Sequence, residues 1–144
     1  MIKTTYPDTK KLLKTITDKI DVKEIATMIA GNVQKRIDSG TNADGSKMTP
    51  LKPATIKVKQ KKGGISPNKP LVFKGGTQKG IKSVRISKKE AHVVSTGMAK
   101  GYYGGGKGSI EVLKYQREKG RDPLNVSKED IQDTTKLLRK QLGR

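Results

Sequence analysis

Ala43-Asp44-Gly45-Ser46-Lys47-Met48-Thr49-Pro50-Leu51, with Thr55 four residues further on, divides this chain into a helical part and a part of short strands and loops. Asp-Gly is a turn dipeptide: the carboxylate bonds its own downstream backbone, and glycine takes positive φ at no steric cost. Pro50 holds Thr49 away from the helical region, so the chain leaves the turn extended. Met48 and Leu51 are its large apolar residues and predict a tucked loop pinned at two points. Read alone, the stretch is a structural turn.

Upstream, Leu12, Leu13, Ile16 and Ile20 fall at helical spacing, with Asp8 as a plausible cap. Asp21 then reads as a second cap, with Glu24 three residues on in a capping-box arrangement, and opens a helix to about Asp38. Val22, Ile25, Ile29, Val33 and Ile37 form its apolar stripe, expected to face the core, while Lys23, Gln34, Lys35 and Arg36 face elsewhere. Gly40 is the expected stop.

Downstream, Thr55-Ile56-Lys57-Val58-Lys59-Gln60-Lys61-Lys62 alternates apolar and basic residues. A period of two predicts a strand with a row of ammonium groups on one side, either a lysine-protected edge or a phosphate-facing surface. Gly63 to Pro70 is a loop by composition, and Leu71-Val72-Phe73 reads as a short apolar strand. Residues 80–87 and 91–96 read as a hairpin, joined by Lys88-Lys89-Glu90. Gly97 to Gly108 is the most glycine-rich stretch and is expected to be flexible. Ser109-Ile110-Glu111-Val112-Leu113 returns to strand, Tyr115 to Gly120 is a helical turn, and Ser127 with Asp130 caps a final helix through Ile131, Leu138 and Leu142.

A length of 144 residues predicts one domain: a helical part to residue 40, a turn and sheet part from 41 to 120, and a helix from 121 to 144. One Phe and no Trp predict a thin core and a subunit that leans on its neighbours for stability. Basic residues outnumber acidic ones 32 to 13, and the net charge of +19 favours phosphate backbones or an acidic partner. There is no cysteine, which excludes disulfides and thiolate metal sites. The N-terminal residues lack the apolar run of a signal peptide, and no window approaches the apolar length of a membrane span.

Catalytic chemistry has few footholds. Gly101 to Gly106 followed by Lys107 nearly spells a phosphate-binding loop, but Gly108 stands where that motif needs Ser or Thr, and no helical pattern is evident from Ser109. His92 is the only histidine and reads as structural. Asp18, Asp21, Glu24, Glu129, Asp130 and Asp133 gather near helix starts, where carboxylates favour the helix dipole. Glu90 and Glu111 alone lie where a metal nuclease would want acids. Tyr6, Phe73, Tyr102, Tyr103 and Tyr115 are too scattered for a base-stacking sheet. These features predict a non-enzyme without cofactor or metal.

Asp44, Gly45, Met48, Pro50, Leu51 and Thr55, in that order, resemble the turn of the phage virion morphogenesis family, which contains tail-completion proteins; Met48 stands where the family usually has Trp. Pro70-Leu71, Gly75 and Gly80-Ile81-Lys82-Ser83-Val84 resemble its next block. Leu113, Tyr115, Gln116 and Gly120, then Arg121, Leu124, Ser127, Asp130 and Ile131, resemble its closing segments. The resemblance implies an α+β fold, with a small, mostly antiparallel sheet flanked by N-terminal and C-terminal helices. It also implies a homo-oligomeric ring, typically a hexamer, in the virion neck. Such a ring joins the tail to the DNA-filled head, is assembled in the host cytoplasm, and meets connector and tail terminator or tube proteins. In such a ring Lys57, Lys59, Lys61, Lys62, Lys100 and Lys107 are candidates for a positive lumen in non-specific contact with genomic DNA, or for an acidic-partner surface. The alternative is a basic nucleic-acid-binding module of ribosome-associated or nucleoid type; a nuclease using Glu90 and Glu111 is the weaker third.

Overall fold

The computed structural model describes residues 9–72, 79–95 and 109–143. Within them the chain is α+β: five helices and one two-stranded antiparallel sheet. The helices are α1 (Thr9–Lys19), α2 (Val22–Ser39), α3 (Pro53–Lys61), α4 (Ser109–Arg117) and α5 (Lys128–Gln141), with strands β1 (Ile81–Arg85) and β2 (Ala91–Ser95) between α3 and α4.

The central element is α2. Asp21 caps it, its carboxylate accepting from the N–H groups of Lys23 and Glu24. Glu24 does not complete a capping box. Instead the Gln141 amide bridges the two residues, accepting from the Asp21 N–H at 3.0 Å and donating to the Glu24 carboxylate at 2.7 Å. Gly40 ends the helix in the left-handed conformation, as expected from its sequence position.

The apolar stripe of α2 faces inward. Ala30, Val33 and Ile37 join Val72, Ile81 and Leu113 in a small buried cluster, with Ile29, Leu71 and Val93 packed against its rim. The hairpin forms as predicted, with Ile81 opposite Ser95 and Arg85 opposite Ala91. Two polar contacts stitch it to α2: Gln34 donates to the Ile81 carbonyl at 2.8 Å, and the Thr27 and Ser83 hydroxyls lie 2.7 Å apart. Gln34 therefore faces the sheet rather than away from the core.

Three expected strands are not formed. The basic stretch 55–62 lies in α3, because Pro53 presets φ in its first turn and Gly63-Gly64 terminates it. Gly63 has φ +69°, its N–H returns to the Gln60 carbonyl, and that of Gly64 to Lys59, the two bonds of a Schellman motif. Leu71 adopts φ +61°, which breaks an extended run before Val72; Phe73 lies outside the described residues. The expected strand 109–113 is the first half of α4, which also contains the start of the predicted helical turn at Tyr115. Gly120, at φ +72°, closes that helix with a second Schellman pair, its N–H to Arg117 and that of Arg121 to Gln116.

The capping box at α5 is complete: Ser127 Oγ accepts from the Asp130 N–H, and the Asp130 carboxylate from the Ser127 N–H. Among the described residues, no helix is long and apolar enough to cross a membrane.

Candidate functional site

The Asp44 turn is built from its own side chains. Asp44 Oδ1 accepts from the Ser46 hydroxyl at 2.6 Å and the Ser46 N–H at 2.9 Å, which holds its carboxyl below the ordinary aspartate value. Gly45 takes φ +84°, and an isolated bridge pairs Thr41 with Lys47. Met48 is buried and Leu51 half-buried, the two pins expected from the sequence.

This turn is zipped onto the segment after α4. Asn42 Oδ1 accepts from the Asp122 N–H, and the Ala43 N–H donates to the Asp122 carbonyl. Arg121 reaches back across the seam. Its Nε donates to the Thr49 carbonyl at 2.8 Å, Nη2 to Pro50 at 3.0 Å and Nη1 to Gln116 Oε1 at 2.6 Å. Gly120 meets Thr49 so closely that a Cβ there would lie 2.7 Å from Thr49 Oγ1. The seam thus unites stretches about 70 residues apart.

Beneath it lies a buried ionic node. Arg36, expected to face away from the core, is only 5 % exposed. It pairs with Asp130 at 3.0 Å and donates to the Pro123 carbonyl and Ser127 Oγ. Asn32, also buried, donates from Nδ2 to Asp130 and to Asp133. Burial pushes the Asp130 carboxyl up, but the hydrogen bonds from Arg36, Ser127 and Asn32 and the Arg36 charge outweigh it, and the net shift is downward. Sequence reasoning placed Asp130 as a cap and missed its ion pair.

The six candidate lysines are not one surface. Lys57, Lys61 and Lys62 are exposed on or just after α3, and helical spacing puts Lys57 and Lys61 one turn apart. Lys59 leaves the group. Its side chain turns inward, 5 % exposed, and Nζ donates to the Lys69 carbonyl at 2.7 Å and toward Ser66 at 3.5 Å. Burial, with the Arg121 charge adding to it, pushes this ammonium down to about 8. Lys100 and Lys107 lie outside the described residues, as does the whole of 97–108.

Of the two candidates for acid chemistry, the Glu111 side chain lies outside what the structure describes. Glu90 pairs with His92 at 2.7 Å on the hairpin surface, both about half exposed. Among the described residues no three acids or histidines are grouped to hold a metal ion. A helix does begin at Ser109, so that part of the case against a phosphate-binding loop falls; Gly108 at the Ser/Thr position remains. Of the aromatic residues, Tyr115 is described; it is exposed, with the Lys119 ammonium 5.6 Å from its ring.

No family model, curated protein or solved structure matches the chain.

Proposed function

We propose that this protein is a tail-completion or neck subunit of a tailed bacteriophage, closing into a homo-oligomeric ring, a hexamer, around the DNA channel between tail and head. One observation carries the reading. Two of the blocks through which the sequence resembles the virion morphogenesis family meet in space: the Asp44–Leu51 turn docks on Gly120 and Arg121. The Arg121 guanidinium is spent on backbone carbonyls there, as suits a structural element.

Two further features agree. The core is small, while Ile65, Val126 and Ile131 expose 71 %, 71 % and 59 % of their surface, which suits a subunit buried further by neighbours. A ring threaded by DNA gives a place for a net charge of +19 without a base-reading motif. The connector and tail terminator or tube would be its partners. The second reading, a basic nucleic-acid-binding module, is favoured by the exposed Lys57, Lys61 and Lys62.

Light scattering at moderate and high salt, with and without duplex DNA, separates the two. The neck reading expects a ring-sized species that persists at high salt and needs no DNA. A monomer that gains mass only with DNA, and loses it as salt rises, would replace it with the binding module.

A further inference from the structure

A groove of about 490 Å³ runs between α2 and α5, bounded by Met28, Gly31, Asn32 and Lys35 on one helix and by Lys136, Leu137 and Lys140 among others on the second. Three features of it are not fully used by contacts among the described residues. Gly31 sits mid-helix, where glycine is unfavourable, yet its φ is not positive and a Cβ there would meet nothing within 4 Å. Nothing in the described chain needs that glycine, whereas a close approach from outside would.

Asn32 is the second feature. Its Nδ2 is spent on Asp130 and Asp133, and Oδ1 receives no donor from any described residue, although the residue is only 4 % exposed. A buried acceptor of this kind calls for an incoming N–H or O–H. Third, the ammonium groups of Lys35 and Lys140 have no partner among the described residues, and Lys136 reaches the groove's one carboxylate, Asp133, only at 3.8 Å.

We propose that this groove docks an acidic segment of a partner protein. Its backbone lies close over Gly31, one of its N–H groups donates to Asn32 Oδ1, and its carboxylates pair with Lys35, Lys136 and Lys140. A polypeptide supplies both the donors and the anions, whereas a phosphodiester backbone offers acceptors only. The apolar contribution of Met28 and Leu137 likewise suits side chains more than phosphates. The surface stands or falls apart from the neck reading.

The test uses a short fluorescein-labelled peptide of repeating Glu-Glu-Leu, with oligothymidylate of matched charge for comparison, titrated by anisotropy against the full chain. Gly31→Leu fills the groove from a position with open space, and should melt no lower than the parent while binding the peptide at least about tenfold more weakly. Lys35→Glu with Lys140→Glu should lose binding to a similar degree. The charge-matched Lys88→Glu with Lys89→Glu, in the hairpin turn, should change it less than about threefold. Should Gly31→Leu fail to fold, the two lysine pairs decide alone. Equal losses from both pairs, or no binding by the parent chain, would overturn the proposal. Discrimination by the groove variants as strong on oligothymidylate as on the peptide would overturn it in favour of nucleic acid.

Discussion

Arg36 and Asp130, 94 residues apart in sequence, meet at 3.0 Å with side chains 6 % and 1 % exposed. Removing one partner strands a buried charge, which typically costs about 3–5 kcal/mol. Arg36→Met and Asp130→Leu should each destabilise by that order in urea unfolding. The double variant should be much less harmed than their sum, with a coupling of about 2 kcal/mol. Additive losses would show that the pair contributes nothing as a pair.

The same carboxyl sets part of the acid limit. Its folded value lies below its unfolded one, so its stabilisation is complete above the ordinary aspartate value near ~3.9 and is lost as pH falls through the folded value. Asp130→Asn should therefore be less stable than the parent at neutral pH, and the gap should narrow in acid. A constant gap across that range would remove Asp130 as the titrating group.

Gly120 combines φ +72° with a Cβ position 2.7 Å from Thr49 Oγ1, whereas Gly45, at φ +84°, has nothing within 4 Å. Gly45→Ala should show the conformational cost alone, about 1 kcal/mol. Gly120→Ala should cost more, and adding Thr49→Ala should return it toward the Gly45→Ala value. Equal melting losses for the two single variants would mean that Thr49 gives way freely.

Lys59 shifts in the same direction as Asp130, but in an alkaline window and because burial penalises its charged form. Its folded value, about 8, lies below the ordinary lysine value of 10.5, so between these limits the unfolded chain holds more protons and stability rises with pH. Other lysines also discharge there, so the informative quantity is the difference between the parent and Lys59→Met. That difference should move in the parent's favour from pH 8 upward. Parallel stability curves would show that the buried ammonium carries no such penalty.

On α3, Lys57→Gln, Lys61→Gln and Lys62→Gln together should lower the dependence of duplex DNA affinity on salt. Each phosphate contact contributes a log–log slope of about 0.9, so a loss of about 2–3 is expected if all three touch the backbone. Lys59→Gln, its ammonium turned inward, should leave the slope unchanged. An unaltered slope in the triple variant would take α3 out of the DNA surface.

Where the sequence carried explicit punctuation, it predicted the fold well. Asp21 and Gly40 bracket α2, Ser127 and Asp130 start α5, and the short link Lys88-Lys89-Glu90 closes the hairpin. It misled where two apolar residues stood for a pattern. Ile56 and Val58 alternate, but Thr55, Ile56 and Lys59, the residues of α3 withdrawn from solvent, follow helical spacing. Pro53 and Gly63-Gly64 were the better signals there. Arg36 and Lys59 looked like any other basic residue in a chain with 32 of them. Their burial depends on partners outside their own helices, a carboxylate on distant α5 for Arg36 and carbonyls of the following 63–70 loop for Lys59, and helical periodicity does not encode that.

The Gln141 bridge to Asp21 and Glu24 spans nearly the whole described chain, and the Arg36 node joins the same two helices. A ribosome therefore finishes α2 long before it makes the helix that neutralises Arg36 and seals the helix start. Until then the apolar face of α2 has the hairpin, Val72 and Leu113 for cover, and a guanidinium destined for burial must stay hydrated. Closure of that seam waits on a long loop rather than on local propensity.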